Sequence, residues 1–281
     1  LQRAQNVADL AAIAKKRTPK VVFDYVEGSA VDEVAYDRTR QALARVEINS
    51  RVLRDVSDVD TSTKILGKSI DLPICFAPTG YTRLMHHVGE PAVANVAAEN
   101  NLIYALSTMG TTSPAELAAA VPNARRWFQL YVMKDRGFIE RLIERTKAAN
   151  CSALVLTLDL QILGLRHKDI KNGLSAPPKL TISNILNMMT KPRWCMGMLQ
   201  TPRRTFRNIV GHATGVGNMS SLSSWTAEQF DPGLNWGDVE WIKKHWDGKL
   251  IIKGRIIRWS IFRVFFRPEK VLNIQFVNCR N

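Results

Sequence analysis

Between residues 72 and 159, four apolar runs of strand length, LPICFAPTG, LIYALSTMG, RWFQLYV and ALVLTLD, alternate with segments of helical pattern, GEPAVANVAAENN, SPAELAAAV and DRGFIERLIERTKAAN. A further helix and run, NWGDVEWIKKHW and KLIIKG, follow after a long interval. Parallel neighbours need long crossovers, and a run that is apolar on both faces must be covered on both. This alternation therefore restricts the chain to a parallel α/β sheet sheathed in helices. Local signals agree: Ser113 before Pro114 is an N-cap followed by proline at the first helical position. Rhythm alone does not separate a doubly wound sheet from a (β/α)8 barrel. The ends of the runs favour the barrel. Thr79, Ser107, Gln129 with Tyr131, Thr157 with Asp159, and Lys253 are polar or charged, and in a barrel such ends converge on one mouth. The first strand-to-helix connection, APTGYTRLMHHVGE, also lacks the GxGxxG of a dinucleotide fold. Upstream, residues 7–46 read as three helices, with Pro19 opening the second and Gly28-Ser29 ending it.

A chain of 281 residues, 46% hydrophobic and 23% charged, is long enough for one large α/β domain. Its net charge of +14 points to an anionic partner such as nucleic acid, anionic lipid or a phosphorylated ligand. From Ile170 to Ala227 there is no Asp or Glu. Lys171, Lys179, Lys191, Arg193, Arg203, Arg204 and Arg207 stand there among Met188, Met189, Trp194, Met196, Met198, Leu199 and Phe206. This long basic insertion loop, about 160–230, reads either as an element lying on an anionic membrane surface or as a disordered lid over the site. Nucleic acid is the weaker reading, because no recognised binding module accompanies the charge. Cys75, Cys151, Cys195 and Cys279 show no metal-binding spacing and read as reduced thiols. No stretch has the apolar length of a transmembrane helix, and the first residues do not read as a signal peptide.

In order along the chain, FDYVEGSA, APTGYTRLMHHVGE, LSTMGTTSPAEL, WFQLYVMKDR, LTLDLQILGLRHKDIKNG and LIIKG resemble the FMN-dependent α-hydroxy acid dehydrogenases, most closely bacterial L-lactate dehydrogenases of the cytochrome-linked type. The resemblance runs from about Val7 to Gly254. It implies a (β/α)8 barrel behind N-terminal helices, of which about five of eight strands are expected here: 73–77, 103–107, 126–132, 153–159 and 249–254. The implied reaction is oxidation of a small L-2-hydroxy acid, L-lactate foremost, with electrons passed through FMN to a respiratory-chain acceptor. A cytoplasmic location, peripheral on the inner face of the cell membrane, and homo-oligomerisation follow from the same resemblance.

The roles it implies are specific. Pro78, Thr79 and Gly80 present backbone to the flavin ring, Ser107, Gln129 and Thr157 bond its heteroatoms, and Lys253 stabilises the anionic reduced ring. Tyr25 and Arg166 hold the substrate carboxylate, Tyr131 bonds the substrate hydroxyl, and Asp159 orients a histidine base. The residue types suit these tasks: a planar guanidinium grips a carboxylate in two-point fashion, a phenol donates to oxygen while its ring packs, and a cation offsets charge gained by a reduced flavin. Taken singly, each has an ordinary structural reading; the set at corresponding strand ends carries the functional one. His86, His87, His167, His212 and His245 end no predicted strand, and only His167, read as a loop residue, lies near the mouth.

The family's base lies in a motif Ser-Asn-His-Gly-Gly-Arg, and its flavin phosphate is held by Gly and Arg residues on later strands. Neither follows Gly254 in this sequence. Residues 1–254 are therefore expected to form a partial barrel, and 255–281 a basic, aromatic tail outside the family pattern, as a frameshift would produce. The resulting expectations are an unpaired edge at the strand of Lys253, loss of FMN, and no turnover by the chain as it stands.

Overall fold

The computed structural model describes residues 4–162, 164–173, 181–201, 205–213 and 228–254, together with the backbone of 274–277. Helices α1 (Val7–Arg17), α2 (Lys20–Glu27) and α3 (Val34–Ala44) form where the pattern predicts them. The Asn6 side chain caps α1, and Pro19 precedes α2 without any side-chain cap of its own.

The sheet order is β3 (Cys75–Phe76), β4 (Ile103–Ser107), β5 (Arg125–Tyr131), β6 (Ala153–Thr157), β7 (Lys249–Lys253) and β8 (Ile274–Val277), every neighbouring pair parallel. Strand order that follows chain order without a reversal is a barrel's pattern rather than that of a doubly wound sheet. The five expected strands are present. The expectation of an open edge at β7 is corrected by β8, which pairs Leu250 with Ile274 through Lys253 with Val277. The signal lay in the sequence: Leu272, Ile274 and Phe276 alternate with Asn273 and Gln275, a period of two. An unpaired parallel edge offers a ready row of N–H and C=O groups to such a segment. The rest of the proposed tail lies outside the described residues.

Crossovers α4 (Thr82–Met85) with α5 (Gly89–Glu99), α6 (Pro114–Ala120), α7 (Arg136–Ala148) and α11 (Trp236–His245) link these strands. Ser113 and Glu116 form a reciprocal capping box at α6. The inner stripe of α7, Phe138, Ile139, Leu142 and Ile143, is at most 1% exposed; burying each such side chain contributes about 1.5–3 kcal/mol.

Side chains alternate across a strand, and here the two faces form two clusters. Tyr104, Leu106, Phe128, Leu130, Leu154, Leu156, Leu250 and Ile252 meet the helices. Ile103, Ala105, Trp127, Ala153, Val155 and Ile251 face the barrel interior. A hairpin not foreseen from the sequence, β1 (Thr63–Ile65) and β2 (Lys68–Ile70), sends Ile65, Leu66 and Ile70 into that interior. Its two-residue turn, Leu66-Gly67, has φ of 54° and 79°, so Gly67 stands where a left-handed backbone is needed.

The insertion is partly helical rather than a structureless loop: α8 (His167–Lys171), α9 (Ile182–Met189) and α10 (Pro192–Gln200) lie within it. Short apolar stretches with Thr181 as N-cap and Pro192 at a helix start were the signals that its overall basic character obscured. Lys179, Arg203 and Arg204 lie outside the described residues.

Candidate active site

Continuing the interior parity toward the C-terminal strand ends brings Ser107, Gln129, Tyr131, Thr157 and Lys253 onto one face, two residues or four beyond Ala105, Trp127, Val155 and Ile251. Ladder register then sets neighbours: Ser107 opposite Gln129, Tyr131 opposite Thr157, Thr157 opposite Lys253. Ser107 Oγ donates to Gln129 Oε1 at 3.1 Å, and Gln129 Nε2 donates to Thr157 Oγ1 at 3.0 Å. All three residues are buried, so their polar atoms satisfy one another in a single row. Thr108, which sequence reasoning passed over, closes the row: its Oγ1 donates to Gln129 O at 2.6 Å.

Lys253 Nζ lies 3.6 Å from Asp159 Oδ2, an ion pair open to solvent beside the row. Burial raises the Tyr131 phenol above its ordinary value, and the nearby Asp159 carboxylate and Tyr25 push the same way. The Tyr131 ring meets Phe230 edge-on at 5.8 Å.

The N-terminal helices deliver the remaining groups. Arg166, at the start of α8, donates from Nη2 to Tyr25 O at 2.5 Å and from Nε to Asp169 Oδ2 at 2.5 Å. Its guanidinium sits 5.2 Å over the Tyr25 ring. Burial raises the Tyr25 phenol, Arg166 opposes the shift, and Asp169 reinforces it. Asp169, buried and three residues after Arg166, was legible only as an acid one helical turn from an arginine. The Tyr131 phenol is thus the group that feels both Tyr25 and Asp159. His167 stands on α8 rather than on a loop, its Nδ1 4.0 Å from Asp32 Oδ1.

The Pro78–Gly80 loop lies beside Met109: an added Cβ at Gly80 would come within 3.0 Å of Met109 Cβ. Thr79 is exposed, its Oγ1 donating to Ala77 O at 3.3 Å. Fully buried Glu90 ties this region together by accepting from Thr111 N at 2.6 Å and Thr112 Oγ1 at 2.8 Å. Asn208 reaches in from the insertion, its Nδ2 donating to Ser107 O at 3.2 Å and Thr108 O at 3.3 Å. Neither contact follows from sequence spacing, since each joins segments far apart in the chain.

Hydroxyl, amide and ammonium groups in one row at a barrel mouth, with an arginine and two phenols alongside, are the donor set that an electron-poor heteroaromatic ring and a carboxylate require. The sequence profile described as FMN-dependent dehydrogenase matches residues 14–259. The chain belongs to this family. A Mycobacterium tuberculosis protein under the provisional name L-lactate dehydrogenase is 40% identical over 254 residues, covering 90% of this chain and 60% of the relative. The L-lactate dehydrogenase of Ectopseudomonas mendocina is 36% identical over 248 residues, covering 88% of this chain and 65% of the relative. The chain therefore spans about two thirds or less of the curated relatives it matches. Among solved structures, the monotopic membrane protein (S)-mandelate dehydrogenase superposes with a TM-score of 0.87 at 26% identity, covering 99% of this chain and 73% of that one. A mandelate oxidase bound to (S)-4-hydroxymandelic acid gives 0.75 at 30% identity, with coverage of 93% and 67%. This family member thus shares the fold of 2-hydroxy acid enzymes over nearly its whole length.

Proposed function

We propose that the chain is the flavin- and substrate-facing part of an FMN-dependent L-2-hydroxy acid dehydrogenase, with L-lactate as substrate and pyruvate as product. The observation that carries the reading is the interior-facing row Ser107–Gln129–Thr157–Lys253, in a chain of this family, with Tyr25, Tyr131 and Arg166 beside it. FMN, when bound, supplies the two-electron acceptor. Ser107, Gln129 and Thr157 would hold the ring, Pro78–Gly80 would flank it, and Lys253 would offset the charge of its reduced form. Arg166 binds the substrate carboxylate through donors that Tyr25 O and Asp169 leave uncommitted. Tyr131, a phenol whose deprotonation burial further disfavours, donates to the substrate oxygen. Asp159 would orient the proton-accepting base.

That base is a histidine in a motif this 281-residue sequence does not contain, so we infer that the chain alone does not turn over lactate. The same reading leaves the flavin held by its ring alone. Titrating the chain with FMN and with riboflavin tests this by flavin fluorescence. The two should bind with similar weak affinity, because the phosphate finds no partner. FMN binding 100-fold tighter, or lactate-dependent dye reduction by this chain, would overturn it.

A second reading is a non-catalytic chain that associates with anionic membranes, and α9 favours the membrane part of it. Asn184 and Asn187 face the protein, whereas Ile182, Ile185, Leu186 and Met189 are 78%, 43%, 59% and 71% exposed on the opposite side. A helix with its apolar side outward, in a segment lacking acidic residues, suits an anionic bilayer surface. Sedimentation with anionic vesicles should weaken as salt rises and on replacing Arg203, Arg204 and Arg207 by Gln; equal binding to neutral vesicles would remove the electrostatic case.

A further inference from the structure

Helix α2 carries Tyr25 but has few means of holding itself in place. It is eight residues long, little more than two turns, and Pro19 supplies no side-chain cap. Helices this short do not persist by propensity, so their position comes from contacts. The inward face of α9 supplies one set of them, beside the buried Val22 side chain and the Tyr25 ring set edge-on to Tyr81. Lys20 N, the first amide of α2, donates to Asn187 Oδ1 at 2.7 Å across 167 residues of sequence. One turn earlier on the same face, Asn184 Nδ2 donates to Asn172 O at 2.8 Å, and Asn172 Nδ2 donates to Asp24 Oδ2 at 2.7 Å. At the other end of α2, Arg166 bonds Tyr25 O.

We propose that Asn187 is a positioning residue: it caps α2 from the insertion and, together with the Arg166 bond, sets where Tyr25 stands over the mouth. The inference rests on Tyr25 and Arg166 being the carboxylate-binding pair. It gives the inverted α9 a second task, since the polar face that looks misplaced on a surface helix is the one that grips the substrate helix. The link between them is one side-chain oxygen meeting a backbone N–H that would otherwise lack a partner.

The test uses the full chain with ring-labelled tyrosine and excess FMN, titrated with oxalate as the carboxylate probe. The Tyr25 resonance is assigned by its loss in Tyr25→Phe. Oxalate is expected to shift that resonance, and Asn187→Ala to weaken oxalate about five-fold, the weight of one capping oxygen. Asn187→Asp, which keeps an acceptor at the same place, should restore affinity. Leu186→Ser, on the outer face of α9, should leave it unchanged. A folded Asn187→Ala that binds as the wild type, while Tyr25→Phe weakens binding, overturns the positioning role and leaves the Tyr25 reading intact. If oxalate shifts nothing, or if both Tyr25→Phe and Arg166→Gln bind as the wild type, the carboxylate reading fails and the proposal with it. Should Asn187→Ala not fold, Asn187→Ser, too short to reach Lys20 N, decides in its place by the same criteria.

Discussion

Replacing Gln129 by Met removes the central link of the polar row while keeping nearly the same length and volume. Gln129 is 2% exposed and joins Ser107 and Thr157, each 3% exposed. Two of the affected groups keep other partners: Thr108 N still donates to the Gln129 backbone carbonyl at 3.0 Å, and Ser107 Oγ still accepts from Met109 N. What is lost is the partner of the Thr157 hydroxyl and the acceptor of the Ser107 hydroxyl, both sealed from water. At about 1–3 kcal/mol for each buried orphan, the substitution costs about 3–4 kcal/mol. With a urea dependence of roughly 3 kcal/mol per M, the midpoint of unfolding falls by about 1 M. Tryptophan fluorescence reports the transition, since Trp127 lies in the same strand. Adding Thr157→Val should recover part of the loss, because two apolar neighbours leave one fewer orphan than a methionine facing a hydroxyl. A midpoint moved by less than about 0.3 M, or a double variant weaker than Gln129→Met alone, would refute the account of the row as mutually satisfied.

Stability should also fall as pH rises above 10. Burial first of all raises the phenols of Tyr25, Tyr81, Tyr104 and Tyr131 above the ordinary value of 10.0, so the folded chain keeps protons there that the unfolded chain gives up. The unfolded state then binds fewer protons, and its share grows with pH; urea midpoints at pH 9 and pH 11 measure the slope, which Tyr131→Phe should reduce. Cys151 is 8% exposed with its thiol pushed up by burial to about 12, so in the native chain it should react with a disulfide reagent more slowly than exposed Cys75. Equal rates at the two would show that the connection between α7 and β6 opens freely. Ser113→Ala removes one arm of the α6 capping box and should lower the melting temperature by about 2–4 °C, corresponding to about 1 kcal/mol.

Strand and helix identity was legible in the sequence, because apolar runs and caps act over a few residues. Ser113-Pro114, the α7 stripe and the run KLIIKG each specify their own element without help from distant chain. The polar strand ends pointed to one mouth for the same reason: side-chain alternation follows from backbone geometry, so a run's interior parity is determined once its register is set. The assignment of these residues to a flavin ring or a carboxylate came from the family resemblance of their motifs, not from the alternation. What only the tertiary structure decided is how those ends satisfy one another. The bonds from Ser107 to Gln129 and from Gln129 to Thr157 depend on ladder register between strands more than twenty residues apart. Asn208 and Asn187 were missed because their partners lie on separate elements, up to 167 residues away. Strand β8 was missed because its alternation is only four residues deep in the sheet and gains meaning beside an edge that needs a neighbour. The orientation of α9 is the clearest case. Its sequence shows an apolar side and a polar side, but which of them faces the protein depends on what α2 lacks, a cap for its first amide, and no local pattern in α9 carries that information.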